Sequence, residues 1–491
     1  MKKRILFYTT LFLVILAYSI TAPNYDFDLW ARLIAGMGAV DGGHVLKADF
    51  LSYTPVHTWW DHEWASGAVF YLFLKFFGPY SLVILQAVLI WGIFFIVSKI
   101  TELRTGIPRY NILFYFFAFY VLIANFNHPV RCHLFTFLFF TLFIYILELS
   151  RKGNTKPLLA VPFIIIIWNN LHGGVVAGFG LMLIYILAEL LDRKPVKKYL
   201  ITFAVSCLVM LINPWGFDYI KFLLTANTME RADVAEWWGL FSKRQMFRQI
   251  PFKLFMLFSL ALEGIAVFKL KNHDKAKYMV LIITLCLAVA HVKLLPFFVI
   301  AVCCYCCEDF YALTKHWNFP RWKDTAVYAI LLFCALFSVL AKDLTPPLNF
   351  NAYPVKEVEF IKINEIKGNL LVNFGLGSYA SYKLYPDNLI YMDGRYEEVY
   401  YDYMIPLLKK FYLVNPGWDE VLDKFTPDVM IIEQYYPVYG ILKESPKWDL
   451  VYEGKVFGVF LPAGKVRKTY KLPSDDIGYY KNSLFDTAIK F

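Results

Sequence analysis

Apolar runs of bilayer-spanning length recur through the first two thirds of this chain, and they constrain its fold more than any other feature. A helix needs about 20 apolar residues to cross the hydrocarbon core, or about 17 at the short end. Runs near 5–22, 79–98, 110–126, 133–150, 157–171, 174–191, 198–213, 251–268, 278–292, 294–311 and 325–341 meet or approach that length, so the pattern predicts about eleven spans. Composition agrees. Of 491 residues 58% are hydrophobic and 18% charged, against about 25% charged in soluble domains. A soluble enzyme, a disordered chain and a disulfide-stapled secreted domain are excluded. The net charge of +10 would suit a nucleic-acid binder only if the basic residues gathered on one face. They are spread through separate connecting loops instead, so no nucleic-acid partner is expected.

Those loops alternate in character. Lys2, Lys3 and Arg4 precede the first run; Lys99, Arg104 and Arg109, then Arg151, Lys152 and Lys156, then Arg193, Lys194, Lys197 and Lys198, then Lys269, Lys271, Lys275 and Lys277, and finally Lys315, Arg321 and Lys323 fill every second connection. Basic loops stay in the cytoplasm, which predicts a cytoplasmic N-terminus and an extracytoplasmic C-terminus. The stretch 64–77 is apolar but too short to span and reads as interfacial or re-entrant. No small-residue cleavage site follows the first run, so it reads as a retained helix rather than a signal peptide. Cys303, Cys304, Cys306 and Cys307 crowd one predicted span, where their spacing points thiols to different faces and favours packing over metal ligation.

After residue 341 the composition turns mixed and polar. Residues 1–341 are therefore expected to form a multi-pass transmembrane domain with a large first outer loop at 23–78, and residues 342–491 an extracytoplasmic α/β domain. Leu370–Phe374, Leu389–Met392, Val429–Glu433, Leu450–Glu453 and Val456–Leu461 have strand composition, while Ser378–Tyr385, Asp402–Leu413 and Trp418–Phe425 look helical. Gly375-Leu376-Gly377 lacks the remaining features of a dinucleotide fingerprint and reads as a turn.

On this topology the uncommon polar groups collect on the outer side: Asp26, Asp28, Asp61, His62 and Glu63, then His128, Arg131 and His133, then Asn169, Asn170 and His172, with Asn213, Glu236, His291 and Lys293. Ionisable groups near the ends of spanning helices are costly to desolvate and tend to line a water-filled cavity. Asp26 and Asp28 lie two residues apart, a spacing that puts both carboxylates on one side of an extended chain, where they can share a divalent cation such as Mg or Mn or divide into base and ligand. Helix capping by Asp26, or an ion pair of Asp28 with Arg32, would account for them equally well.

The runs DFDLW (26–30), DFLSYT (49–54), WWDHEW (59–64), HPVRCHLFTF (128–137), WNNLHGG (168–174), NPWG (213–216), EWW (236–238), NFGLGSYASYKLY (373–385) and YMDGRYEEVY (391–400) together resemble a family of bacterial multi-pass membrane proteins related to the GT-C glycosyltransferases. The resemblance covers nearly the whole chain, departing from the usual pattern at Phe27 and Ala31. It implies a GT-C-like all-helical bundle in the bacterial cytoplasmic (inner) membrane and transfer of a sugar from a polyprenyl-phosphate carrier to an extracytoplasmic lipid, glycan or protein acceptor of the cell envelope. The acidic catalytic residue of the first outer loop maps onto Asp28 or Asp26, with Glu63 the next candidate.

An ionised aspartate can act as general base toward the acceptor, and the leaving lipid phosphate calls for a fixed cation or a bound metal. Arg131 is the first candidate for that cation because its guanidinium can pair two phosphate oxygens, and Lys293 is the second. His62, His133, Asn170 and His172 are candidate substrate contacts. Arg395, in the run Tyr391–Tyr396 at a predicted strand end, is a candidate acceptor contact, although an internal Asp–Arg pair would explain it too. A non-catalytic membrane scaffold and a transporter or flippase for lipid-linked sugars remain the alternative readings.

Overall fold

A computed structural model of the protein describes residues 2–21, 25–106, 118, 129–229, 231, 234–270, 273–316, 323–342, 348–467 and 469–491. The chain divides into two compact units, each made of two separate stretches: Met1–Asn24 with Tyr80–Leu344, and Tyr25–Pro79 with Thr345–Phe491.

The first unit is helical. Among the described residues six helices are long and apolar enough to cross a membrane: Arg4–Thr21, Tyr80–Thr105, His133–Arg151, Gly173–Leu191, Ile250–Leu270 and Val292–Thr314. The count of eleven read from hydropathy is therefore not reached, because backbone breaks cut several apolar runs short. Run 157–171 opens as a 3-10 turn at Lys156–Ala160 and carries Pro162 in the first turn of the helix Val161–Leu171. The helix Lys197–Val209 ends before Asn213-Pro214, and Lys275–Ala290 ends at His291, which is extended. The stretch Thr325–Leu340 is apolar but short. Run 110–126 lies outside the described residues apart from Ala118.

Ion pairs fasten one end of this bundle. Arg104 reaches Glu148 (2.7 Å), Asp274 (2.9 Å) and Glu308 (2.7 Å), and Arg151 reaches Glu189 and Asp274, both at 2.9 Å. Lys277, fully buried, pairs with Glu263 at 2.7 Å and with Asp309. Charges withdrawn from water this far persist only when paired. The four cysteines of the helix Leu295–Thr314 are buried and unoxidised, as packing residues.

The second unit contains a five-stranded mixed sheet: β1 Gly368–Leu371, β2 Asn388–Ile390, β3 Val429–Glu433, β4 Trp448–Glu453 and β5 Phe457–Pro462, in the order β2-β1-β3-β5-β4. β1 runs parallel to β2 and β3, while β5 is antiparallel to β3 and β4. The stretch 51–60 is stitched by backbone bonds to β2 and to the short helix Tyr396–Val399 that follows it. Ile390 N–H donates to Leu51 O (2.9 Å), Tyr53 N–H to Ile390 O (3.1 Å), His57 N–H to Val399 O (3.0 Å) and Trp60 N–H to Glu398 O (3.1 Å). Two short apolar helices flank that stretch, Leu29–Val40 and Trp64–Phe77. They cross at Gly36 and Gly67, where a Cβ on Gly36 would stand 2.1 Å from Gly67 O. Only glycine permits that approach.

Candidate active site

The helix Leu29–Val40 reads LWARLIAGMGAV, and its residues 29–38 are all buried, Arg32 included. A guanidinium in such a place must be paired. Arg32 donates from Nη2 to Glu398 Oε2 at 2.8 Å and from Nη1 to Asp61 Oδ1, and its Nε lies 3.6 Å from Glu63 Oε2. His62 closes the group, with Nδ1 2.9 Å from Glu398 Oε1 and Nε2 3.6 Å from Glu63 Oε1. Trp59 Nε1–H donates to Glu398 Oε2 at 2.9 Å. Burial alone would raise the Glu398 carboxyl, but the Arg32 and His62 charges hold it well below the usual carboxylate range. Burial would lower the His62 imidazole, yet Glu63 and Glu398 raise it to about 9. Asp61 is pushed up to about 6 because burial outweighs its bond to Arg32.

A second buried group stands beside this one. Arg395 Nε donates to Asp393 Oδ1 (2.9 Å) and Nη1 to Asp49 Oδ1 (2.6 Å), and its guanidinium lies 4.4 Å from the Trp59 ring centre. Its side chain is wholly buried. Arg395, a few residues past the end of β2, is thus the internal partner of two aspartates, the alternative to acceptor contact that the sequence left open. Its segment leads back to the first outer loop: a Cβ on Gly394 would stand 2.8 Å from Asp28 Oδ1. Asp28 precedes the helix Leu29–Val40 without capping it through its side chain. Its N–H donates to Asp26 Oδ1 at 2.8 Å, so Asp26 forms an Asx turn that orients the Asp28 backbone. The runs at 26–30, 59–64 and 391–400 therefore meet within one unit.

The remaining expected contacts belong to the first unit. Arg131 Nη1 and Lys293 Nζ hold the two carboxylate oxygens of Glu236, at 3.2 and 2.8 Å. Against the pull of burial these cations lower Glu236 to about 2. Lys293 and Arg231 both lie over the Trp237 ring, and His291 Nδ1–H donates to Trp237 O at 2.8 Å. The loop 234–238 thus joins Arg131 to Lys293. His172 Nδ1 accepts from Gly174 N–H at 2.8 Å and lies 2.8 Å from Thr136 Oγ1. Asn170 Nδ2 donates to Ile166 O and Ile212 O, and His133 packs edge-on against Phe137. Asn170 and His172 hold backbone breaks in place.

The sequence reading missed Arg32 as an anchor and Glu398 altogether. An arginine amid an apolar twelve-residue helix was the available signal for the first; for Glu398, in a charged Tyr-Glu-Glu-Val stretch, there was none. One group of three ligand-type side chains, His62, Glu63 and Glu398, has donor atoms within 4.8 Å of one another. Asp26 and Asp28 do not belong to it. A divalent cation could use this set only by replacing the His62 proton and competing with Arg32 and Trp59 for Glu398, whose lone pairs are already engaged. The set fits a metal poorly, and the chemistry below uses none.

No family model matches the chain, and no curated protein matches its sequence. Solved structures do match its fold. The crystal structure of the Archaeoglobus fulgidus oligosaccharyltransferase in the apo form superimposes with a TM-score of 0.57 at 9% identity, covering 87% of this chain and 69% of that one. The same enzyme tethered to an acceptor peptide containing the NVT sequon gives 0.57 at 11% identity, covering 96% and 77%. The chain is thus a membrane protein whose fold is similar to that of an oligosaccharyltransferase.

Proposed function

We propose that this protein is a GT-C-type glycosyltransferase that moves a sugar from a polyprenyl-phosphate carrier to an extracytoplasmic acceptor. The observation that carries the reading is the meeting of Asp28, the Asp61–His62–Glu63 run and Glu398 in one unit of a chain with an oligosaccharyltransferase fold. Asp28 is partly exposed and can receive a proton. In the proposed step an acceptor O–H or N–H gives its proton to the Asp28 carboxylate while the acceptor atom bonds to the anomeric carbon. The bond from that carbon to the phosphate oxygen breaks, and the lipid phosphate leaves with the electron pair. Arg32, Asp61 and Glu398 are positioning residues that fix the helix carrying Asp28.

The test is sugar transfer by the full-length protein in lipid nanodiscs, with radiolabelled polyprenyl-phosphate sugars as donors. Asp28→Asn is expected to lower turnover about 10²–10⁴-fold, the usual contribution of a general base. Wild-type turnover in that variant would exclude Asp28 as the base, whereas no transfer by the wild type with any of these donors would favour the scaffold or flippase reading.

A further inference from the structure

The second unit holds an open cavity of about 360 Å³ whose lining includes no member of the Arg32 or Arg395 groups. Met37, Leu74, Pro79 and Phe485 supply its apolar wall, and Tyr71, Lys75, Lys481, Asn482 and Thr487 its polar one. We propose that this cavity binds the headgroup of an anionic glycerophospholipid from the surrounding membrane. Three observations converge on that occupant.

The first is place. Lys75 and Leu74 sit in the last turn of the helix Trp64–Phe77, whose Phe76 and Phe77 are 68% and 74% exposed. Three residues further on, Tyr80 begins the candidate span Tyr80–Thr105. Exposed phenylalanines at the foot of a spanning helix belong in the acyl region of a bilayer, which sets the adjoining lysines at headgroup depth.

The second is charge. Lys75 is bound to Asp41 at 2.6 Å, and Asp41 also accepts from Tyr71. Lys481 has no acidic partner among the described residues. Together these groups carry one net positive charge, which matches the single negative charge of a phosphodiester better than the double charge of a phosphate monoester.

The third is the donor set. Lys481 and Asn482 come from the helix Ile477–Asn482, while Lys75 comes from a different helix. Donors arriving from two helices around an apolar wall suit a headgroup with its phosphate in the polar half and its glycerol carbons against Leu74 and Phe485. The inference concerns lipid binding alone and stands apart from sugar transfer.

Native mass spectrometry of the full-length protein tests it, after exchange into nanodiscs of phosphatidylglycerol and phosphatidylcholine in equal parts. One phosphatidylglycerol should remain bound to the wild type, and Lys481→Glu should lower its retention at least ten-fold. Lys481→Arg should keep it, which guards against a folding defect. Equal retention of both lipids, unchanged retention in Lys481→Glu, or displacement of the lipid by polyprenyl phosphate at equal concentration would each overturn the proposal. Absence of sugar transfer by the wild type with the lipid retained would count against the enzyme reading only.

Discussion

At the scale of single residues, His62 offers a test independent of catalysis. Its imidazole is raised from 6.5 to about 9 by Glu63 and Glu398 against the effect of burial. The stability it supplies is fully present below pH 6.5 and is lost as pH rises toward 9, because over that window the folded state keeps a proton that the unfolded state has released. Stability should fall at about 1.4 kcal/mol per pH unit there, and His62→Gln should flatten that part of the profile in thermal unfolding of detergent-solubilised protein. An unchanged slope would assign the titration to another group. The Arg32–Glu398 bond, which spans 366 positions, shows what local reading cannot reach. Periodicity and spacing report neighbours along a helix or strand, whereas this pair depends on tertiary structure. Asp28 and His62 were legible because they stand in short runs rich in tryptophan and acid; Glu398 was not, because it sits among ordinary charged residues.

Elements were easier to read than their partners. Each of the five expected strand segments of the C-terminal region overlaps an observed strand and β3 was placed to the residue, while the first, Leu370–Phe374, ran three residues past β1 to the start of the helix Phe374–Leu384. Hydropathy overcounted the spans because it averages across breaks at proline, asparagine and glycine that the backbone obeys. The crossing of the helices Leu29–Val40 and Trp64–Phe77 gives a sharp prediction at this scale. Gly36→Ala would force a methyl against the carbonyl of Gly67 and should cost about 1–3 kcal/mol, the usual penalty of overpacking. Gly264→Ala, in the helix Ile250–Leu270 where an added methyl meets nothing within 4 Å, should be neutral or stabilising by up to about 1 kcal/mol. Equal melting temperatures for the two variants would mean that the crossing is looser than described.

For the whole molecule, the alternating basic loops make a prediction about sidedness. In a variant without its eight native cysteines, a cysteine at Tyr435, which is 70% exposed, should react with an impermeant thiol reagent added to intact cells. A cysteine at Asn154, in the loop after the helix His133–Arg151, should react only after the membrane is opened. The reverse pattern would invert the orientation of every span. That the chain crosses a membrane was plain from composition, and its kinship in fold to an oligosaccharyltransferase survives at 9–11% identity because burial patterns tolerate substitution far better than sequence matching does.

The discontinuous second unit has a consequence for biogenesis. Its first stretch ends at Pro79 and its second begins at Thr345, so at a ribosomal pace of about 5–20 residues per second the early stretch waits on the order of tens of seconds for the rest of its sheet. During that interval Arg32 and Asp61 are translated but Glu398 is not, and the apolar faces around Trp30 and Trp59 have no sheet to cover them. The nascent chain must pass through a stage in which a charged, tryptophan-rich segment has been made while most of its unit has not, a stage suited to a holdase or to shelter beside the translocon.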